Sequence, residues 1–191
     1  MSTKVAVDWC NFLRDLCSYE LLQEPTQLGG PGHTVAINES IVAKRKPGSA
    51  EGGPVAPMWV FGAVDLQTKE FFMEVVQQRD AATLLPIIRQ NILPGSRIWS
   101  VERAAYCGLP GLGYVHETVN HSRRFVDPVT GAHTNNVEAR WNACKATMKR
   151  RYGVPREQVP AYLDEYMWRC RRSPSDVFLD ILEAMRRRYP C

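Results

Sequence analysis

No two cysteines in this 191-residue sequence are spaced C-x-x-C; Cys10, Cys17, Cys107, Cys144, Cys170 and Cys191 lie scattered along it. Their scatter excludes a zinc ribbon or a disulfide scaffold and leads to the expectation of reduced thiols, some filling a core, in an intracellular chain. No apolar run approaches the ~18 residues of a membrane span, and the polar first residues do not read as a secretory signal. The four histidines, His33, His116, His121 and His133, show neither i, i+4 nor H-x-E spacing, so no histidine metal site is expected. Ser100 and Ser122 lack elbow glycines, which excludes a serine-hydrolase nucleophile. "GGPG" (29–32) and "GLPGLG" (108–113) are turn material without the spacing of a dinucleotide or phosphate loop.

What is present is ordinary for a globular chain with one good-sized core: 45% hydrophobic and 23% charged residues. The net charge of +4 is placed unevenly. From Arg140 onward there are 12 Lys/Arg against 6 Asp/Glu, whereas residues 1–139 hold 12 against 14. A basic last third suits a surface facing nucleic acid, although solvated helix faces give the same count. The candidate phosphate contacts are Lys44–Arg45–Lys46, Arg123–Arg124, Lys145, Lys149–Arg150–Arg151 and Arg171–Arg172. Arg186–Arg187–Arg188 complement the dipole of the last helix and need no further role.

Helical spacing predicts a first helix over 4–22, and a strand follows over 34–42. "AKRKPGSAEGGP" (43–54) reads as an exposed, mobile loop. "MWVFGAVDL" (58–66) and "EFFMEVV" (70–76), joined by a short turn, complete an antiparallel three-strand meander. A helix over 81–92 begins at Asp80 as N-cap and contains Pro86. Then come a buried strand at 96–101, a helical turn at 102–109, a strand at 114–120 and a long irregular loop at 121–133. Thr134, Val137 and Glu138 read as a capping start for a helix over 134–152. The next helix, 156–171, carries a stripe of Val159, Tyr162, Leu163, Tyr166, Met167 and Cys170. The last has Ser173 as N-cap, Pro174 at its first position, and Val177, Phe178, Ile181, Leu182 and Met185 on one face. Trp99, Trp141 and Trp168 are expected in the core, with Trp9 and Trp59 alike.

Three antiparallel strands feeding alternating helix and strand are the layout of the ribonuclease H-like fold, a mixed sheet with helices on both faces. The expectation is an α/β chain with one such domain spanning 1–191, its helical extensions at 1–30 and 156–191. Enzymes of this fold cut phosphodiester bonds with two metal ions held by carboxylates from the first strand, the end of the fourth, and a late helix. The residues at those places are Asn38, Val101 and Glu138, of which one is an acid.

"GGPGHTVAINESIVAKRK", "VFGAVDL", "TLLPIIRQNILPGSRIWS", "AAY" and "YVHETVNHSRRFVDPVTGAHTNNVEARW" resemble the Merlin-type DDE transposases, which carry the insertion-sequence XO-two-like transposase domain. "VDWCNFLRDLCSYELL" is similar to the helix preceding that domain, so the resemblance covers about residues 5–170. It implies a first aspartate at position 38, inside a "DES" that here reads Asn38–Glu39–Ser40. It implies a second at position 101, where the family's Ser-Asp is Ser100–Val101, and a third acidic position at Glu138. Glu39 faces away from Asn38 by strand alternation, and Glu102, just past the strand, is the candidate rescue. Valine is an unusual residue for disabling an acid by design, so natural decay is expected.

The resulting expectation is a transposase-derived domain without strand-cutting activity that binds DNA or RNA backbone through its basic patches. No cofactor is expected, with magnesium or manganese bound only if activity persists. The competing readings are a protein-interaction or structural subunit of a larger assembly, and a metal-dependent nuclease or transposase using Glu138 with Glu102. Homo-oligomerisation is compatible with each. The expected location is inside the cell, the nucleus ahead of the cytoplasm, with no membrane partner. Nothing before residue 5 supplies a helix-turn-helix, so any nucleic-acid contact should follow the backbone and not read bases.

Overall fold

Val35, Ala36 and Ile37 are consecutive, apolar and fully buried in strand 34–43, and that is the pattern of a strand covered on both faces. The computed structural model describes residues 2–43, 57–151 and 153–190. The chain divides into two compact units, residues 26–156 and residues 1–25 with 157–191.

The larger unit holds a five-stranded sheet of β2 (Thr34–Ala43), β3 (Met58–Asp65), β4 (Phe71–Val76), β6 (Arg97–Val101) and β7 (Val115–Val119). Their order across the sheet is β4-β3-β2-β6-β7. β2, β3 and β4 run antiparallel to one another, while β6 and β7 run parallel to β2. α2 (Ala81–Asn91) connects β4 to β6, and α3 (Asn135–Arg150) follows β7. This is the ribonuclease H-like arrangement. A two-stranded parallel pair, β1 (Leu28–Gly29) and β5 (Ile92–Leu93), lies beside it and was not foreseen.

The register sorts side chains to two faces. Asn38 pairs with Gly62, so Ala36, Asn38, Ser40, Val60, Gly62 and Val64 share the face on which α3 packs. Val137, Trp141, Cys144 and Met148 are the buried stripe of α3. Gly62 permits that approach, because a Cβ there would lie 2.4 Å from Trp141 Cζ2. The opposite face carries Val35, Ile37, Phe61, Ala63 and Ile98, all fully buried. There α2 packs on β4 and on the 3-10 turn Ala104–Tyr106, with Leu84 and Ile88 buried. Each such aliphatic or aromatic side chain contributes about 1.5–3 kcal/mol on burial.

The smaller unit packs α1 (Thr3–Gln23) against α4 (Val159–Cys170) and α5 (Val177–Arg188). Leu16, Leu163 and Trp168 are buried in it, and so is Arg14, whose Nε lies 3.2 Å from Glu165 and whose guanidinium covers the Tyr162 ring at 3.8 Å. Burial pushes the Cys17 thiol up to about 12, which makes it an inert core residue.

Several sequence expectations are corrected. Ser173 is not the cap of the last helix: α5 starts at Val177, because Ser173 hydrogen-bonds Ser175 and its carbonyl accepts from Asp176 N–H, closing a turn first. The stripe predicted for α5 is not a core face, since Phe178 is 69% and Leu182 44% exposed. Trp9 is 51% exposed and stacks edge-on against Phe12 rather than entering a core. Thr134 occupies the N-cap position of α3 without capping a backbone N–H: its hydroxyl donates to Glu138 and its oxygen accepts from His121 instead. Among the described residues, no helix is long and apolar enough to cross a membrane.

Candidate functional site

Alternation along β2 sends Asn38 to the α3 face and Glu39 to the other. The parallel register Ala36↔Trp99, carried on by two residues, sets Val101 level with Asn38 on the same face. Glu138, in the first turn of α3, comes down over this place. Asn38 Nδ2 donates to Glu138 Oε1 over 3.4 Å, a long hydrogen bond. Asn38 Oδ1 accepts from Glu39 N–H at 2.8 Å, so reversing the amide would set acceptor against carboxylate and donor against donor.

Glu138 Oε1 also accepts from Thr134 Oγ1 at 2.8 Å. Because the one proton of that hydroxyl goes to Glu138, Thr134 Oγ1 accepts from His121 Nε2–H at 3.0 Å. His121, Thr134, Glu138 and Asn38 thus form one chain of polar contacts at the mouth of the α3 face. Two residues along β2, Ser40 Oγ accepts from Lys145 Nζ at 2.6 Å, so a lysine from the same helix occupies this face too.

The metal pair implied by the resemblance can be tested on this donor set. Two divalent ions call for several anionic oxygens, and the residues level with one another here are one carboxylate, one amide and one alkyl group. Glu102, one residue past Val101, is exposed, and its Oε2 accepts from Asn120 Nδ2 at 2.6 Å where β6 and β7 end, so its carboxylate is already engaged. Among the described residues, no group of three or more His, Cys, Asp and Glu is placed to hold a metal ion. The donor set does not suit a pair of divalent cations.

Glu39 belongs to a separate, buried cluster. Its side chain is 1% exposed and is held by the Arg103 guanidinium and the Tyr106 hydroxyl. Burial, then the charge of Glu39, drives the Tyr106 phenol well above its ordinary value. The Tyr106 ring meets His116 edge-on, and His116 Nε2 lies 2.8 Å from Ser100 Oγ. Ser100 Oγ donates to the Val101 carbonyl, which leaves it to accept from His116 Nε2–H. Burial lowers the pKa of His116. With Ser100 fully buried, this pair is a structural tie with no route to a substrate.

The remaining sequence candidates are dispersed. Lys44, Arg45 and Lys46 lie outside the described residues. Arg123 and Arg124 are exposed on the 121–133 loop, and Lys149, Arg150 and Arg151 are exposed at the far end of α3. At ~1.5 Å per residue, Glu138 and Arg150 are roughly 18 Å apart along the helix. Buried His133 Nδ1 has no hydrogen-bond partner among the described residues, and the ring lies tilted against Trp99 with centroids 5.1 Å apart. Sequence reading missed the Arg103–Tyr106 clamp on Glu39 and the Gly62–Trp141 contact. A buried acid flanked by an unexplained substitution was the signal for the first; a lone glycine inside an apolar strand was the signal for the second.

The ISXO2-like transposase domain matches residues 27–171. An uncharacterized transposase-like protein of Haemophilus influenzae is 31% identical over 111 residues, covering 58% of this chain and 89% of that one. A chain of the simian T-cell lymphotropic virus intasome, solved in complex with PP2A regulatory subunit B56 gamma, is 16% identical with a TM-score of 0.45. That match covers 75% of this chain and 51% of the intasome chain, about half its length. The catalytic core domain of BIV integrase is 14% identical with a TM-score of 0.47, covering 79% of this chain and 96% of that one. With most of its length matched by one domain, the chain belongs to the ISXO2-like transposase domain family.

Proposed function

We propose that this chain is a transposase-derived domain without strand-cutting activity, acting as a nucleic-acid-binding module. The observation that carries the reading is the contact between Asn38 Nδ2 and Glu138 Oε1. An amide N–H stands where an ancestral acid would face a cation, and it partly satisfies the carboxylate without any ion. Val101, level with Asn38, adds no ligand. With one carboxylate, two divalent ions are badly under-neutralised.

The same changes alter what the face attracts. Lys145 sits on it at Ser40, and Arg123 and Arg124 are exposed on the loop that runs from His121 to Thr134. Replacing acids with neutral side chains makes the surroundings less repulsive to phosphate, and Lys149 and Arg150 extend the basic surface along α3. Lys44–Arg45–Lys46 belong to the proposed contact set through sequence alone.

Fluorescence anisotropy with labelled DNA and RNA at stepped salt tests this. Binding should weaken steeply with salt, and Lys149→Glu with Arg150→Glu should lower affinity for every sequence alike. Unchanged binding by that double variant refutes the patch assignment. Metal-dependent nicking by the unaltered chain, abolished by Glu138→Gln, would refute the loss of activity.

A second reading, a protein-interaction subunit, is favoured by the helical unit. Trp9, Phe178 and Leu179 are 51%, 69% and 63% exposed there, and Val5, Asp8, Trp9 and Phe12 line a cavity of about 410 Å³. A stoichiometric partner that survives nuclease treatment and is lost on Trp9→Ala would support it.

A further inference from the structure

The 121–133 loop combines a fixed backbone with unburied apolar side chains. At its start, Asn120 accepts from Ser122 N–H through Oδ1 and from Arg123 and Arg124 N–H through its carbonyl. Further along, Asp127 Oδ1 accepts from Val129 N–H, Thr130 N–H and the Thr130 hydroxyl, while Asp127 N–H donates to the Ala132 carbonyl. These bonds, those from Thr130 foremost, hold the Asp127 carboxyl below its ordinary pKa. Two Asx-type turns therefore define the loop at both ends.

Between them the loop displays Phe125, 67% exposed, beside Val126 at 44%, and the second turn itself displays Val129 at 90%. Burial does not explain Phe125. Its ring meets only the edge of the chain of polar contacts, with the His121 ring 5.7 Å away. Arg123 and Arg124 precede it, both exposed and neither in an ion pair among the described residues. Asp127, the loop's one acid, is engaged in its turn. A water-facing aromatic ring on a hydrogen-bonded loop, next to two cations, matches the chemistry of a nucleic-acid strand: π-faces along one edge, phosphates along the other.

We infer that this loop grips an unpaired nucleotide, with Phe125 stacking on the base and Arg123 and Arg124 on the flanking phosphates. The inference rests on the reading of the chain as a nucleic-acid-binding module and specifies the strand form it takes. In an intact duplex, the ring can reach a base face only by opening a step, which costs a few kcal/mol. A base already unstacked, in a single strand or frayed end, offers its face without that cost. The arginine contacts serve either form, so strand preference resides in Phe125.

The test is anisotropy with labelled oligothymidine and with a blunt duplex of equal length, for the unaltered chain, Phe125→Ala, Phe125→Trp, and Arg123→Ala with Arg124→Ala. Phe125→Ala should weaken single-strand binding about tenfold and leave duplex binding nearly unchanged. Phe125→Trp should retain affinity, which separates stacking from damage to the loop. The arginine pair should weaken both and lower the single-strand salt slope by roughly 1.4. If Phe125→Ala leaves single-strand affinity unchanged, or weakens duplex binding equally, the stacking assignment fails while nucleic-acid binding stands. Should Phe125→Ala instead disrupt self-association in sedimentation and spare oligothymidine binding, the loop is a protein contact and the inference is overturned. If the unaltered chain binds neither oligonucleotide, both readings fail together.

Discussion

Substituting Asn38→Asp places two carboxylates where a donor now meets an acceptor. At the 3.4 Å separation of Asn38 Nδ2 and Glu138 Oε1, two unit charges repel by about 5 kcal/mol at an effective dielectric near 20 and about 1 kcal/mol in water. The Glu138 side chain is 38% exposed, and the pair can relieve itself by sharing a proton. The expected destabilisation at neutral pH in chelator is therefore roughly 1–3 kcal/mol. It should shrink as pH falls and the pair protonates. Manganese should reverse it, since a divalent ion bound at a hundredfold excess over its Kd returns about 2.7 kcal/mol. Adding Val101→Asp should deepen both effects. The assay is urea denaturation at neutral pH, with and without manganese, on the unaltered chain and both variants. If Asn38→Asp is as stable as the unaltered chain in chelator, the two side chains do not face each other as described. If manganese stabilises the unaltered chain as much as the variant, the site already holds its ions and the proposed loss of activity is wrong.

Three further outcomes follow from the geometry. Arg103→Met strands the buried Glu39 carboxylate and should cost about 3 kcal/mol in the same denaturation assay; a loss below 1 kcal/mol would mean that Glu39 is not held as an ion pair. Gly62→Ala drives a methyl group into Trp141 and should cost roughly 1–3 kcal/mol, with a shift in Trp141 emission, whereas a neutral result would show that α3 can ride up without penalty. Burial lowers the pKa of His116 from 6.5, so folding favours its neutral form. Its contribution is full above pH 6.5 and is lost as pH falls below that value and through the lower folded one. His116→Gln should flatten the dependence of the denaturation midpoint on pH across that window, and an unchanged slope would place the titration elsewhere.

Most of the fold was legible because its signals are local. Short apolar runs marked β2, β3 and β4, and Asp80 marked the start of α2, where its Oδ1 accepts from Thr83 N–H. The misses involve choices between partners. Thr134 has the right position for a cap, but its hydroxyl oxygen accepts from His121 and its proton goes to Glu138, so no backbone N–H is capped. Ser173 has the right residue type, but a tight turn with Ser175 and Asp176 takes precedence. The stripe on α5 has helical spacing, yet spacing does not say whether a face finds cover. At the candidate site, strand alternation alone foretold that Glu39 would point away from Asn38. The Arg103 and Tyr106 groups that hold it were not foreseeable, because they arrive from more than sixty residues away.

Positions 38 and 39 are neighbours in the chain but lie on opposite sides of the sheet. A change at 38 is felt in a half-open polar seam, where water can make good what is lost. A change at 39 is felt inside a sealed compartment. Adjacent codons in the gene thus carry unequal risk: an altered base in one is met at the surface, while an altered base in the next endangers the scaffold. That inequality leaves position 38 freer to vary than position 39.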